Sequence, residues 1–156
     1  MICKAEDLWR MTIVMEGESL RYARDVVAKD PMATFLGIKL KEIRRAYALL
    51  SLDIRPEYLN ALGRAHGMIV SALVDQAAAV AANTTEHRAL IAEIKVNFLD
   101  AVSPGDILTA EARAVDLRKS LSLWQVDVRD SSGKLVATGQ AVGYHRPSGR
   151  ANGKSA

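Results

Sequence analysis

The sequence lacks the residues and runs that mark several classes of protein. Its 156 residues include one cysteine, Cys3, so no disulfide can form within the chain. Cys3 and the three histidines show no metal-ligand spacing, and we expect no metal site. No apolar run approaches the roughly 20 residues that cross a bilayer, and charged residues among the first ten interrupt any signal-peptide core. We therefore expect a cytoplasmic protein without disulfide, metal or membrane span.

The composition indicates one folded domain. Hydrophobic residues make up 49% of the chain and charged residues 25%, which is too apolar for disorder and unlike collagen or a coiled coil. A chain near 150 residues buries about two thirds of its unfolded surface, enough for one core.

The charge balance first favours an acidic partner, because the pI is about 9.1. The segment from Arg146 onward, however, holds three of the 21 basic residues and no acid, so the rest has 18 residues of each sign. Trp9 and Trp124 are not interleaved with basic clusters, as a nucleic-acid stacking groove requires. We expect no nucleic acid and no membrane as partner, and a flexible basic tail over residues 146–156.

Hydrophobic periodicity predicts a helix over residues 18–29, which Pro31 stops. It predicts a second helix over residues 67–82, between the second and third strands. Alternating patterns predict six strands, over residues 38–46, 47–54, 89–99, 107–117, 121–130 and 135–145, the last four in a meander-like run. A helix inserted once argues against alternating βαβ units and favours an α+β fold, an antiparallel sheet wrapped around a central helix. Small residues on one side of the last strand would let that helix approach closely.

The stretch GMIVSALVDQAAAVAA, residues 67–82, contains a single charged residue, Asp75, and predicts a helix buried nearly all round. An ionised carboxylate in apolar surroundings costs several kcal/mol unless it is paired. Two interpretations stay open from the residues alone. Asp75 is either a structural acid, paired with an arginine or facing a subunit interface, or a functional carboxylate.

The loop ALGRAHG places Asn60, Gly63, His66 and Gly67 at or beside the start of this helix, where the first N–H groups lack partners and the dipole is positive. Such donors stabilise the oxyanion of acyl transfer. For His66 the alternative is a helix N-cap bonded to the backbone. Asp75 follows His66 by nine residues, half a revolution and about 13.5 Å along the axis, so the two meet on one substrate only if two copies pair with antiparallel helices.

These residues carry a family resemblance. The stretch EYLNALGRAHGMIVSALVDQAAAVAAN, the strand ending in KVNFLDAVSPGD and the hairpin at SSGKLVATG resemble hotdog-fold acyl-CoA thioesterases of the PaaI-like, phenylacetate-degradation type, over about residues 34–145. The family signature is an Asn, a His-Gly-Gly six residues later, and an acid nine after the His. Asn60, His66, Gly67 and Asp75 match it.

The resemblance implies hydrolysis of aryl or short-to-medium acyl-CoA to free acid and CoA, with no cofactor beyond the coenzyme A of the substrate. It also implies active sites at a dimer interface, with dimers pairing into a homotetramer. The chain then divides into an N-terminal extension with a short helix over residues 1–30, a hotdog domain over 31–145 and the tail over 146–156.

The resemblance further implies roles for the matching residues. The Gly67 N–H would polarise the thioester carbonyl with support from His66, and Asp75 of the partner subunit would act as general base or nucleophile. Asn60 would orient the water or the acyl group. The positions matching coenzyme A contacts are Phe98, Arg118, Lys119, Ser120 and Leu121, for which a solvated basic turn is the alternative.

Two positions depart from the family pattern. Met68 replaces the second glycine, where it would crowd the acyl channel, and Ile91 stands where some relatives have a Ser or Thr that helps to hold the water. Two alternatives therefore stay open beside the thioesterase, namely a non-catalytic acyl-CoA-binding protein and a hotdog enoyl-CoA hydratase.

Overall fold

The computed structural model describes residues 17–146, so the expectations for the first 16 residues and for the tail beyond Arg146 lie outside the described residues. The helices are α1 (17–25), α2 (Pro31–Leu36) and α3 (Gly67–Ala82). The strands are β1 (Lys39–Arg44), β2 (Tyr47–Asp53), β3 (Ala89–Phe98), β4 (Ile107–Leu117), β5 (Leu121–Arg129) and β6 (Leu135–His145). The central helix and all six predicted strands are confirmed.

The N-terminal segment differs from the prediction of one helix over residues 18–29. Helix α1 ends at residue 25, a short 3₁₀ turn follows at Val27–Lys29, and Pro31 then opens α2 instead of only stopping α1. Proline suits the first position of a helix because its missing N–H would be unpaired there anyway. The Asp30 side chain caps α2 by accepting a hydrogen bond from the Ala33 N–H at 2.8 Å.

The strand order in the sheet is β1-β2-β4-β5-β6-β3, with every neighbouring pair antiparallel. Strands β4, β5 and β6 form a meander as predicted. The expectation that β3 belongs to the same run is wrong, because β3 pairs with β6 at the sheet edge. Helix α3 packs across every strand from β2 to β6 and therefore delivers the chain to the edge beyond β6.

Small residues on β6 seat α3 closely on the sheet, as predicted. Ala137, Gly139, Ala141 and Gly143 all lie on the buried side of β6. A β-carbon at Gly139 would lie only 2.6 Å from the Val74 Cγ1 methyl of α3. A side chain at this position would therefore force Val74 or the strand to shift.

The faces of β4 and β5 toward α3 are buried, and they carry Leu108, Ala110, Ala112, Trp124, Val126 and Val128. On β3 the predicted alternation is interrupted by a register shift between Ile91 and Glu93. Leu90 consequently lies on the outer face, 70% exposed, although Ile94 and Phe98 lie on the helix side.

In the part of the chain that the structure describes, no helix is both long enough and apolar enough to span a membrane.

Candidate active site

His66 fixes the start of α3 with both its side chain and its backbone. Its Nδ1 accepts a hydrogen bond from the Met68 N–H at 3.1 Å, and its carbonyl oxygen accepts one from the Ile69 N–H at 2.9 Å. The N-cap alternative for His66 therefore describes its geometry. Since Nδ1 is occupied as an acceptor, Nε2 is the ring nitrogen left to face a ligand.

One backbone donor at the start of α3 remains available. The Met68 N–H is bound to His66 Nδ1, and the Ile69 and Val70 N–H groups are bound to the His66 carbonyl. The Gly67 N–H has no acceptor within residues 17–146. Because it lies at the positive end of a 16-residue helix, it is suited to bind a developing negative charge.

Gly67 lines a cavity of about 390 Å³ between the loop after β2 and the chain that follows β3. Asn60, Gly67 and Phe98 all line this cavity, together with Arg64 and Val70. The Phe98 ring packs so closely on Gly67 that a β-carbon there would lie 3.1 Å from its Cζ. Three of the predicted site residues are thus brought together in one chain.

Asn60 shapes the loop that forms one wall of the cavity. Its side-chain oxygen accepts hydrogen bonds from the Leu62 N–H at 2.9 Å and the Arg64 N–H at 3.1 Å. Its side-chain amide nitrogen has no acceptor among the described residues, so this N–H₂ group is the part of Asn60 that can contact a ligand.

Asp75 lies away from this cavity, on a stripe of α3 that the sheet leaves uncovered. The uncovered stripe consists of Met68, Ser71, Ala72, Asp75 and Ala79, at the spacing of one helix face. Met68 is 69% exposed, and Asp75 is exposed as well. The expectation that α3 is buried nearly all round is therefore wrong along this stripe.

The surroundings of Asp75 favour its protonated form. Partial burial raises the pKa of the Asp75 carboxyl, and the negative charge of Asp30 raises it further. A hydrogen bond of 2.7 Å from Gln76 Nε2 to the Val27 carbonyl ties the 3₁₀ turn that precedes Asp30 to α3. The ion pairs among residues 17–146 do not include Asp75, so the arginine-paired interpretation fails within one chain.

The structure places the basic turn at the other end of α3. Arg118 and Lys119 lie between β4 and β5 and border a second cavity of about 330 Å³, together with Arg45 and His145. Arg118 also pairs with Asp116 at 2.6 Å. The length of α3, about 24 Å for 16 residues, separates this cavity from Gly67.

Ser120, Leu121 and Ile91 are not among the residues that line these two cavities. Ser120 lies exposed in the same turn, and Leu121 is 49% exposed on the outer face of β5. Ile91 packs half-buried against the core and supplies no hydroxyl.

Sequence reasoning missed Arg45, although the adjacent pair Arg44-Arg45 at a hairpin was a visible signal. The described residues contain no group of three or more His, Cys, Asp or Glu side chains that could hold a metal.

Comparisons with known proteins show the family of this chain. The profile described as Thioesterase superfamily matches residues 62–137. An inferred esterase of Archaeoglobus fulgidus is 30% identical over 74% of this chain and 75% of its own. Acyl-coenzyme A thioesterase PaaI of Escherichia coli is 25% identical over 79% of this chain and 88% of its own.

The comparison with solved structures shows the same fold. The solved structure of E. coli PaaI, from the phenylacetic acid degradation operon, superposes with a TM-score of 0.79 over 85% of this chain and 96% of that one, at 23% identity. The chain belongs to the thioesterase superfamily and is a PaaI-like thioesterase with the hotdog fold.

Proposed function

We propose that the protein hydrolyses acyl-CoA thioesters with aryl or short-to-medium acyl groups, at a site built from two copies of the chain. The observation that carries this proposal is the Gly67 N–H, the donor of the first turn of α3 that lacks an acceptor and borders a cavity. The relative named acyl-coenzyme A thioesterase supports coenzyme A esters as the substrate class.

Each chain holds an incomplete site. The cavity at Gly67 contains the donor but not Asp75, which lies eight residues and about 12 Å further along α3. If two α3 helices pair antiparallel along their uncovered stripes, Gly67 meets Asp75 of the partner subunit when the two-fold axis passes at Ser71. The small side chains of Ser71 and Ala72 would allow the close approach that such a crossing needs.

The proposed chemistry follows from this pairing. In one route the partner's Asp75 takes a proton from water, and the oxygen attacks the thioester carbonyl. In the other route the partner's Asp75 attacks directly and water cleaves the resulting anhydride. Either way the Gly67 N–H holds the developing oxyanion, and its collapse expels the coenzyme A thiolate, which then takes up a proton. Asn60 orients the water or the acyl group from the cavity wall.

The cations of the second cavity are proposed to bind the phosphates of coenzyme A. In the antiparallel pair, the carboxyl end of the partner's α3 lies about 10 Å along the helix axis from Gly67. The carboxyl end of the α3 that contains this Gly67 lies about 22 Å from it. The partner's Arg118, Lys119 and Arg45 are therefore the ones within easier reach. Phe98 lies at the entrance of the acyl site, where its exposed ring can contact the substrate.

Substitution of Asp75 tests the carboxylate. We expect Asp75→Asn to reduce kcat by about 10²–10⁴, the usual contribution of a general base. The assay is release of free thiol across acetyl-, phenylacetyl-, hydroxybenzoyl- and palmitoyl-CoA. The matched control is Asp53→Asn, which removes an exposed acid paired with Lys39 and should leave kcat unchanged. Wild-type turnover by Asp75→Asn would refute the proposed role.

A mixing experiment tests the shared site. Asp75→Asn and Gly67→Pro chains are each expected to be inactive, but a mixed dimer holds one intact site. Random reassociation of equal amounts should restore about a quarter of wild-type activity, because half of the dimers are mixed. Absence of any recovery, with mixed dimers confirmed by native mass spectrometry, would mean that one chain supplies the whole site.

A further inference from the structure

The cavity at Gly67 contains a positive charge that the proposed reaction does not use. Arg64 lines this cavity and belongs to the same loop as Asn60, three residues before Gly67. Its Nη1 donates a hydrogen bond to Ser103 Oγ at 2.8 Å. Arg64 takes no part in the ion pairs among residues 17–146. Its guanidinium therefore keeps further N–H groups and its charge for a ligand.

The acid on the cavity wall is balanced by a different cation. Asp100 is the other charged residue that lines the cavity, and its Oδ2 forms an ion pair with Lys134. Its Oδ1 accepts a hydrogen bond from the Ala101 N–H at 2.7 Å. Both carboxylate oxygens are thus engaged away from Arg64. Among the described residues that line the cavity, the charge of Arg64 is the one that remains unbalanced.

Acceptors on the cavity walls are already occupied. The Asn60 side-chain oxygen accepts two N–H groups, and the Arg64 carbonyl accepts the Asn60 N–H at 2.7 Å. The Val102 and Val136 carbonyls also accept backbone N–H groups. By contrast, the Asn60 side-chain amide and the Gly67 N–H have no acceptor within residues 17–146. The cavity thus offers donors beside a cation, which suits a ligand with a negative charge.

Apolar side chains make up most of the remaining wall, and Val70, Phe98 and Leu99 are among them. A hydrocarbon segment can pack against such side chains, whereas a charged end needs a partner such as the guanidinium. The cavity is therefore suited to an acyl group that is apolar along its length and anionic at its end.

We propose that the acyl group ends in a carboxylate that Arg64 binds, so that the substrates are coenzyme A thioesters of dicarboxylic acids. This inference rests on the proposed function, because it takes the Gly67 N–H as the contact of the thioester carbonyl. The guanidinium donates charge-assisted hydrogen bonds to the carboxylate, and the chain between carboxylate and thioester packs on the apolar wall. A phosphate of coenzyme A is the other anion within the substrate, but it is common to all the esters and would give no preference among acyl groups.

The experiment compares two esters that differ only at the end of the acyl chain. Glutaryl-CoA carries a terminal carboxylate, and 5-methylhexanoyl-CoA carries an uncharged isopropyl group of the same shape. Thiol release by the full-length chain, corrected for uncatalysed hydrolysis, gives kcat/KM for each ester. We expect wild type to favour glutaryl-CoA by about ten-fold, the discrimination of one charge-assisted hydrogen bond. That preference should shrink in concentrated salt, because mobile ions screen an exposed arginine.

Substitution of Arg64 assigns the preference to its side chain. Arg64→Met removes the charge but keeps a long apolar stem, and it should lower kcat/KM about ten-fold more for glutaryl-CoA than for 5-methylhexanoyl-CoA. Ser103→Ala removes the hydrogen bond but leaves the charge, so the preference should remain. The matched control is Arg129→Met, because Arg129 is exposed, donates to the Gly133 carbonyl at 3.1 Å and does not line the cavity. This control should leave both kcat/KM values unchanged.

The outcomes separate the role of Arg64 from the proposed function. An equal loss for both esters in Arg64→Met would overturn the carboxylate contact and assign Arg64 to a phosphate of coenzyme A or to the loop. A wild type that hydrolyses 5-methylhexanoyl-CoA or phenylacetyl-CoA at least as well as glutaryl-CoA would also overturn it, and the proposed function would stand. If no ester is hydrolysed, the proposed function fails and calorimetry decides the role of Arg64 alone. Binding of glutaryl-CoA about ten-fold tighter than that of 5-methylhexanoyl-CoA, lost in Arg64→Met, would then support the contact, and equal binding would overturn it.

Discussion

Replacing Gly67 with proline removes the one backbone donor on which the proposed oxyanion site depends. Gly67 is the first residue of α3, the position where proline is favoured in helices. His66, the preceding residue, has φ −68° and ψ 137°, an extended conformation that a residue before proline readily adopts. The helix should therefore persist while the N–H disappears.

The appropriate reference for Gly67→Pro is Gly67→Ala. Both variants add a β-carbon near Phe98, which would lie 3.1 Å from the ring and require a shift of a few tenths of an ångström. The ring is 55% exposed and can move, so both chains should fold. Proline should make Gly67→Pro more stable than Gly67→Ala by up to about 1 kcal/mol, because it restricts the unfolded chain.

The difference in turnover between these two variants measures the donor. Loss of one oxyanion-hole hydrogen bond costs about 2.7–4 kcal/mol of barrier, or 10²–10³ in kcat. We expect Gly67→Pro to be slower than Gly67→Ala by that factor in a thiol-release assay with saturating substrate. Thermal unfolding of both variants establishes that they are folded. Equal kcat values for the two would show that the Gly67 N–H does not bind the oxyanion.

Three further predictions concern residues around this donor. Burial raises the pKa of Asp75, and the charge of Asp30 raises it further. Asp30→Asn keeps the α2 cap but removes that charge, so the acidic limb of the kcat/KM profile should move to lower pH. An unmoved limb would contradict this. Gly139→Ala should lower the free energy of unfolding, measured in urea, by about 1–3 kcal/mol, because the new methyl group would clash with Val74. In a Val74→Ala background the same substitution should cost less. If the effects of the two substitutions simply add, the contact does not limit the packing. Met68→Gly should raise kcat/KM for aryl-CoA relative to acetyl-CoA by about ten-fold, and an unchanged ratio would mean that Met68 lies outside the acyl site.

The elements of the fold could be predicted because their patterns are local. The alternation of β4 and β5 and the small residues of β6 give the correct inner faces directly from the sequence. The position of β3 could not be predicted in this way. Its own residues are compatible with pairing to β4 or β6, and the path of α3 across the sheet decides between them.

The candidate site was predictable to a similar degree. The family resemblance proposed Asn60, His66, Gly67 and Asp75, and the structure places Asn60 and Gly67 at one cavity. Helix geometry predicted that Asp75 lies away from the start of α3. The exposure of Asp75 could not be read from the sequence. The alanines and valines of α3 look alike whether the sheet covers them or leaves them bare, so the pattern predicted burial all round.

The uncovered stripe of α3 has a consequence for how the chain can change over evolution. In the proposed dimer, Ser71 lies on the two-fold axis and meets its own copy, so every substitution there is introduced twice at one point. A larger side chain at Ser71 would separate both helices at once and widen both catalytic sites by the same amount. One substitution at Ser71 would therefore change the width of both acyl sites through a single contact on the axis. A substitution at Met68 would instead act separately in each of the two sites.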